Sequence, residues 1–524
     1  MSGRFILRMG LAVAALLAVA LAGAAFWLVP SERDIEPNNA IAAASFERVG
    51  LPFVHVWEKT STHPLAASAA IDVDGDGDDE VFLGGSDGQA DALLDWRDGT
   101  IVDLAASMEL GDTIATYGAL SFDIDDDADV DLLTAGNAGV TLWINQGARF
   151  EARNVEFSLP TDSVAVDLAA ADYDRDGDID LYVSVFVDPA NFRSPVFNDA
   201  AHAKRNVLLR NDGDFTFTDV TDDIAGGLQN TFVSSFTDLD NDGLPDLVLA
   251  QNTGQLELLR NLGGGQFERA SYQSGYGFWM GLAVFDADGD GDQDLFLSNI
   301  GNSIPPLFLN GDRRDDQPAD NEWVLLRNDG GFEFTEITQE AALTGFGFAW
   351  GASAADVNFD GKLDLMVAQN YAKWPIHRFA KLPGKVLLGS DGGFVQSEAA
   401  ANAAYGIAPL LVDVDGDGRL DLVWVNIDGE PVLYRNRSER DFLSVRLPDA
   451  AASIGAKIRI GDGPIFEHIV GQGLGSDMST MVSLGLPDGA TSLPPITVEW
   501  ASDQRSVLEP EARNTVLRAS PPSQ

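Results

Sequence analysis

Seven stretches of this chain space acidic side chains as a hard divalent cation requires. Each reads D-x-[DN]-x-D-[GA]-x-x-[DE]. The candidate ligands are Asp72, Asp74, Asp76 and Glu80 in loop 1, Asp123, Asp125, Asp127 and Asp131 in loop 2, and Asp172, Asp174, Asp176 and Asp180 in loop 3. They continue with Asp238, Asp240, Asp242 and Asp246 in loop 4, and Asp286, Asp288, Asp290 and Asp294 in loop 5. Loop 6 offers Asp356, Asn358, Asp360 and Asp364, and loop 7 offers Asp413, Asp415, Asp417 and Asp421. Calcium takes six to eight oxygen ligands, and positions 1, 3, 5 and 9 supply carboxylates while position 7 adds a backbone carbonyl. Glycine at position 6 permits the positive φ that turns the chain back on the ion. One such string would read as a solvated acidic turn. Seven copies in phase predict up to seven Ca2+ ions. Loop 2, with Ala128 for glycine, and loop 6, with the neutral Asn358, are expected to bind weakest.

The elements that hold these loops read as strands. An apolar run follows each loop, as in Val81-Phe-Leu and Leu181-Tyr-Val, so the helices that flank an EF-hand loop are excluded. The loops recur at intervals of 48 to 70 residues, far longer than the nine-residue period of calcium-binding β-helices. Between loops a hairpin recurs. Asn206–Thr221 and Val324–Thr338 each carry a Leu-Leu-Arg-Asn-Asp-Gly core, a strand, a tight turn and a second strand. Small apolar runs such as Ala66–Ile71 and Ala352–Ala355 precede the loops. Each unit is therefore four strands, A before the loop, B after it, and C and D in the hairpin. Radial repetition of such units predicts a β-propeller of seven blades. The seventh unit lacks strand D, and Ser45–Val49 is an orphan strand at the other end. Pairing the two closes the ring and hides both sheet edges.

Composition bounds the rest. The chain has 524 residues and a net charge of −49, which argues against nucleic acid and anionic membrane surfaces as partners. Cysteine is absent, so disulfides and thiolate metal sites are excluded. Arg4 and Arg8 precede an uncharged apolar span, residues 9–29, long enough to cross a bilayer with the N-terminus inside. An uncleaved signal anchor is favoured over a signal peptide cleaved near Ala22-Gly-Ala24, because Phe26–Val29 continues the apolar run. The expected organisation is a cytoplasmic stub 1–8, a transmembrane anchor 9–29, a linker 30–44, a propeller 45–437 and a small β-sandwich-like domain 438–519. The bulk of the chain is then exported, either anchored or, after cleavage, secreted.

These residues resemble a known family. The loops and hairpins are similar to the FG-GAP/VCBS repeats of integrin α-like propellers. The tail carries Ile454-Gly-Ala-Lys-Ile-Arg-Ile460, Gly471-Gln-Gly-Leu-Gly475 and Ile496-Thr-Val-Glu-Trp500. That series resembles the ASPIC/UnbV domain of cartilage acidic protein-like proteins, with Ala-Ser-Asp after Trp500 where the family has Pro-Ser-Gly. The resemblance covers residues 45–519. It implies an exported calcium-binding protein linked to adhesion or matrix contact, and it transfers no catalytic residues.

No nucleophile motif, P-loop or paired histidine spacing is present. The informative segments are three long B–C connections, residues 186–205, 299–321 and 369–385, on the face opposite the acidic loops. They gather scarce basic residues with aromatics, and Tyr371, Trp374, His377 and Arg378 are the candidate ligand-binding residues. The D–A connections Gly275–Gly281 and Gly345–Gly351 add more aromatics on that face, which suit either a ligand or the covering of blade ends. The expected function is a non-catalytic binding or adhesion module for an extracellular protein or glycan. The alternative is an exported enzyme acting on polysaccharide.

Overall fold

A computed structural model describes residues 44–522 apart from 112, 193–202, 225–227, 271, 273, 304–317, 372–380 and 503. The anchor span 9–29 therefore lies outside the described residues. Among the described residues no helix is long and apolar enough to cross a membrane.

The fold is all-β. Seven sheets of four antiparallel strands are built around the seven loops, consistent with a β-propeller. Sheet 1 is Ser68–Ile71, Glu80–Leu83, Ala92–Arg97 and Thr100–Asp103, with Ser476–Asp477 added in parallel as a fifth strand. Sheet 2 is Thr116–Phe122, Asp131–Gly136, Gly139–Asn145 and Phe150–Asn154. Sheet 3 is Ser163–Ala171, Asp180–Val187, Val207–Asn211 and Phe217–Asp219. Sheet 4 is Thr231–Thr237, Asp246–Gln251, Leu256–Asn261 and Phe267–Arg269. Sheet 5 is Leu282–Phe285, Asp294–Leu297, Val324–Asn328 and Phe334–Glu336. Sheet 6 is Ala349–Ala355, Asp364–Gln369, Gly384–Leu388 and Val395–Asn402. Sheet 7 takes Gly406–Val412, Asp421–Asn426 and Val432–Asn436 from its own repeat. Its fourth strand is Phe46–Gly50, paired antiparallel with Phe46 opposite Asn436 and Gly50 opposite Val432.

The innermost strands touch in order from sheet 1 to sheet 7, and the last touches the first. Crowding explains their composition. Ala66, Ala67, Ala69, Ala352 and Ala355 are buried where neighbouring strands converge, and small side chains let the strands approach. Each strand B opens on position 9 of its loop, so the last acidic residue of the motif is also the first residue of a buried strand.

Residues 442–518 form two further sheets. One has three strands, Phe442–Arg446, Met481–Gly485 and Val516–Arg518. The other has four, Lys457–Ile460, Ile465–Glu467, Ile496–Glu499 and Arg505–Leu508. Leu443, Val445, Ile458, Ile460, Leu484, Ile496, Val498 and Trp500 pack into one core between them.

This C-terminal unit sits on the loop face of the ring, and its segment 469–480 fills the channel. The Gly475 carbonyl accepts from Ser68 N, and Ser476 pairs in parallel with Ser68. Asp477 Oδ2 accepts from Ser121 N at 2.7 Å. Gly475 N donates to Asp167 Oδ1 at 3.0 Å, and Ser234 N donates to Asp167 Oδ2 at 2.9 Å. Gln472 Nε2 donates to the Val284 carbonyl at 2.7 Å, Leu411 N donates to Met478 Sδ at 3.2 Å, and Ser479 N donates to the Leu411 carbonyl at 3.1 Å. A Cβ at Gly475 would meet the Tyr117 carbonyl at 2.1 Å, so only glycine fits at that approach.

Candidate metal centre

All seven loops share one backbone conformation. Position 6 has positive φ throughout, from 73° at Ala128 to 104° at Gly291. Ala128 thus takes a left-handed conformation that costs more with a Cβ present. Position 4 is left-handed too, at Gly75, Asp126, Arg175, Asn241, Gly289, Phe359 and Gly416, with φ between 56° and 78°. The motif gave no sign of this, because Arg and Phe are not residues that favour positive φ.

The hydrogen bonds repeat with equal regularity. Position 5 accepts from the backbone N–H of position 7 in every loop, as in Asp78 N to Asp76 at 2.9 Å and Arg419 N to Asp417 at 3.0 Å. In loops 2, 3, 4 and 6 position 1 accepts from positions 5 and 6, as in Asp176 N and Gly177 N to Asp172 at 3.0 and 3.1 Å. In loops 1 to 5 the clustered carboxylates place ligand oxygens within 4.8 Å of one another, as in Asp72, Asp74 and Asp76, or Asp238, Asp240 and Asp246. Oxygens about 2.4 Å from one shared calcium lie no more than about 4.8 Å apart. Several carboxylate oxygens of loops 1, 3, 4 and 7 are buried and have no hydrogen-bond partner: Oδ1 of Asp72, Asp174, Asp240, Asp413 and Asp415, and Oδ2 of Asp421. A buried carboxylate oxygen left unpaired is costly unless a cation meets it. The residues therefore fit a calcium ion by spacing, by chemistry and by their unspent lone pairs.

Position 9 has a second job that sequence reasoning missed. Asp246 Oδ2 accepts from Leu239 N at 2.9 Å, and its Oδ1 accepts from Asn261 N at 2.8 Å. Asp131, Asp180 and Asp294 make the equivalent pair with Ile124 and Asn145, Tyr173 and Asn211, and Ala287 and Asn328. The group thus clamps the start of its loop to strand C. Each carboxylate oxygen has a second lone pair, so clamping and ion binding are compatible. Burial pushes these carboxyls up, Glu80 to about 9, Asp180 and Asp246 to about 8, and Asp131 and Asp294 to about 7. That is the signature of buried acid without its counter-charge.

The strand-C asparagine completes the device. Asn261 Nδ2 donates to the Pro245 carbonyl at 3.0 Å and to the Tyr173 carbonyl of the neighbouring sheet's loop at 2.8 Å. Asn145, Asn328 and Asn436 reach Val73, Leu239 and Val357 in the same way. The available signal is the Arg-Asn dipeptide in the hairpins of sheets 3, 4 and 5 and at the end of strand C in sheet 7, where Asn also reads as a turn residue.

Arginines neutralise part of the acid. Arg435 pairs with Asp415, Arg437 with Asp417 at 3.1 Å, and Arg260 with Asp240. Arg446, from the C-terminal unit, lies 2.5 Å from Asp79 and 3.8 Å from Asp413. In loop 6, Asn358 Oδ1 accepts from Asp360 N at 3.0 Å.

On the opposite face Tyr371 is half-buried, 5.0 Å from Phe348 and 5.9 Å from Tyr405 between ring centres. Trp374, His377 and Arg378 lie outside the described residues. Four aromatics of the D–A connections are inside the molecule, Trp279 and Phe346 each 1 % exposed and Phe278 and Trp350 each 4 %, while Tyr276 and Phe348 are half-buried. Phe346 stacks on Trp323 at 4.4 Å. Their burial assigns these rings to packing. Phe192, by contrast, is 39 % exposed and packs on the buried His63 at 5.6 Å.

Residues 123–183, 198–249, 238–297 and 308–367 match the FG-GAP-like repeat. These four stretches take in loops 2 to 6. No curated protein matches the chain. Among solved structures, BBS1N crystallised in complex with ARL6DN is similar over 75% of this chain and 97% of that one, with 11% identity and a TM-score of 0.39. A second crystal of the same complex covers 75% and 98% at 10% identity, with a TM-score of 0.44. The rhamnogalacturonan lyase YesW covers 75% and 76% at 14% identity, with a TM-score of 0.41.

Proposed function

From a chain that carries four FG-GAP-like repeats, we propose an exported, membrane-anchored, seven-bladed calcium propeller that acts as a non-catalytic binding or adhesion module. One observation carries this reading. Seven loops share a left-handed backbone at positions 4 and 6, and in loops 1, 3, 4 and 7 buried carboxylate oxygens have no partner. Up to seven calcium ions are proposed, with loops 2 and 6 weakest because of the strained Ala128 and the neutral Asn358. The anchor is residues 9–29, with secretion after cleavage as the alternative. The C-terminal unit is proposed to be an ASPIC/UnbV-like domain, as in the cartilage acidic protein family.

The partner face follows from what is already covered. The C-terminal unit occupies the loop face, and segment 469–480 fills the channel from that side. An extracellular protein or glycan is therefore assigned to the opposite face, with Tyr371, Trp374, His377 and Arg378 as its contacts.

The test has two arms. Native mass spectrometry of the full chain in detergent should count calcium ions that a chelator removes. Replacing Trp374 and His377 by Ala should leave the melting temperature unchanged and abolish calcium-dependent binding to cells or matrix. A fall in melting temperature would make these residues structural. Calcium-dependent cleavage of a polysaccharide would replace the non-catalytic reading with the enzyme.

A further inference from the structure

The C-terminal unit touches all seven acidic loops, and it does so through the features an ion would fix. Asp123 N donates to the Asp449 carbonyl at 2.7 Å. Position 4 of loop 3, Arg175, donates to the Ala501 carbonyl at 2.7 Å. Lys457 Nζ lies 2.8 Å from Asp238 in loop 4, Ile465 N donates to Asp286 in loop 5 at 2.8 Å, and Gly485 N donates to Asp356 in loop 6 at 2.9 Å. Phe359, position 4 of loop 6, stacks on Phe442 at 4.8 Å. The hydroxyls of Ser444 and Ser483 both donate to the carbonyl of Gly418, position 6 of loop 7, at 2.6 and 3.1 Å. Loop 1 offers the Asp76 carbonyl to Arg518 and Asp79 to Arg446.

The docked surfaces carry charge of the same sign. Residues 438–519 contain eleven acidic against seven basic side chains, and the loops they cover are more acidic still. Two acidic surfaces buried against each other need cations between them. The cations on the C-terminal side, Lys457 and Arg446 foremost, reach loops 1, 4 and 7. At loop 6 the polar contact is the Gly485 N–H, which brings no full charge, and at loop 5 the Ile465 N–H is joined by the Arg459 guanidinium beside Gly291.

We propose that calcium in the loops is what seats the C-terminal unit, so that ion binding and docking form one coupled equilibrium. Losing the ions releases the unit and withdraws segment 469–480 from the channel while the seven sheets persist. The coupling rests on the calcium reading above. Its sign is fixed: ions that hold position 1 in place and cancel the acid favour the docked state. By linkage, docking must also raise calcium affinity by the same factor.

Hydrogen exchange on the full chain in detergent tests this, with bound calcium counted by native mass spectrometry on the same samples. With calcium, the amides of Gly475 and Ser479 should be protected. With chelator their exchange, and that of residues 457–485, should rise at least about tenfold while the strand-B amides stay protected. Asp290→Asn neutralises an exposed loop-5 ligand whose hydrogen bonds lie within its own loop, and it should raise exchange at Ile465 and Glu467 selectively. Calcium bound but exchange of 457–485 unchanged by chelator would overturn the coupling and leave the calcium reading intact. Loss of protection across sheets and C-terminal unit together would also overturn it. No calcium bound would overturn both.

Discussion

Replacing Arg446 by Met tests how the ring is held at its seam. Sheets 1 and 7 meet where Asp79 N donates to the Asp413 carbonyl and Asp413 N donates to Asp79 Oδ2 at 2.9 Å. Arg446 lies over this junction with 4 % of its side chain exposed, between Asp79 at 3 % and Asp413 at 1 %. Methionine fills much of the same volume but leaves two buried carboxylates without their cation. Breaking a buried ion pair from one side costs about 3–5 kcal/mol. A unit of this size responds less steeply than the ~2–4 °C per kcal/mol of a 150–250-residue domain, so about 5 °C of melting temperature is expected. The assay is equilibrium denaturation in saturating calcium, read by tryptophan fluorescence. Adding Asp79→Asn to Arg446→Met removes one stranded charge and should recover about half of the loss. A cost below about 1 kcal/mol, or no recovery in the double variant, would refute the seam as an ion-paired junction.

Three further outcomes are expected. Chelation should lower the melting temperature, since each site at ten times its Kd adds about 1.4 kcal/mol; equal midpoints with and without chelator in calorimetry would sink this. Deleting residues 44–50 should leave Val432–Asn436 as an open edge and produce aggregation on size-exclusion chromatography; a monodisperse, equally stable product would count against strand exchange at the ring's end. Asn261→Ala should cost about 2 kcal/mol, because it strands the Tyr173 and Pro245 carbonyls and loosens the tie between sheets 3 and 4; denaturant midpoints decide it, and a change under about 0.5 kcal/mol would be contrary.

The parts of the fold legible in the sequence were those written locally. Asp at positions 1, 3 and 5 and glycine at position 6 are all within one turn, so the loops and the strands that follow them could be placed by spacing alone. Counting strands points to an orphan strand at Ser45–Val49, and the structure has it at Phe46–Gly50, paired with Val432–Asn436. Other features depend on distant chain. The left-handed backbone at Arg175 and Phe359 is imposed by the loop, and these side chains then serve contacts with Ala501 and Phe442 far along the sequence. The asparagine clamp was hidden because Asn-Asp-Gly is also a turn signal, and the turn was the cheaper explanation. The aromatics of Gly275–Gly281 and Gly345–Gly351 suited either a ligand or the covering of blade ends, because spacing does not say which neighbours their glycines admit. Those glycines instead let neighbouring backbone come close: a Cβ at Gly281 would meet the Trp350 carbonyl at 2.1 Å.

The pairing of the first described strand with the last repeat sets the order in which the molecule is finished. Ser45 N donates to Ser438 Oγ across 393 residues of chain. Ribosomes add about 5–20 residues per second, so the opening strand waits roughly 20–80 s for its partner to be made. Through that interval the nascent chain holds an unpaired strand at its front and an incomplete ring behind it. Contacts this remote are slow to form, and nothing short of the seventh repeat supplies them. A chain cut short anywhere before Val432 can therefore never satisfy its own beginning. Completion of synthesis is written into the architecture as a condition for a closed surface, and every truncated product is marked by the same exposed strand.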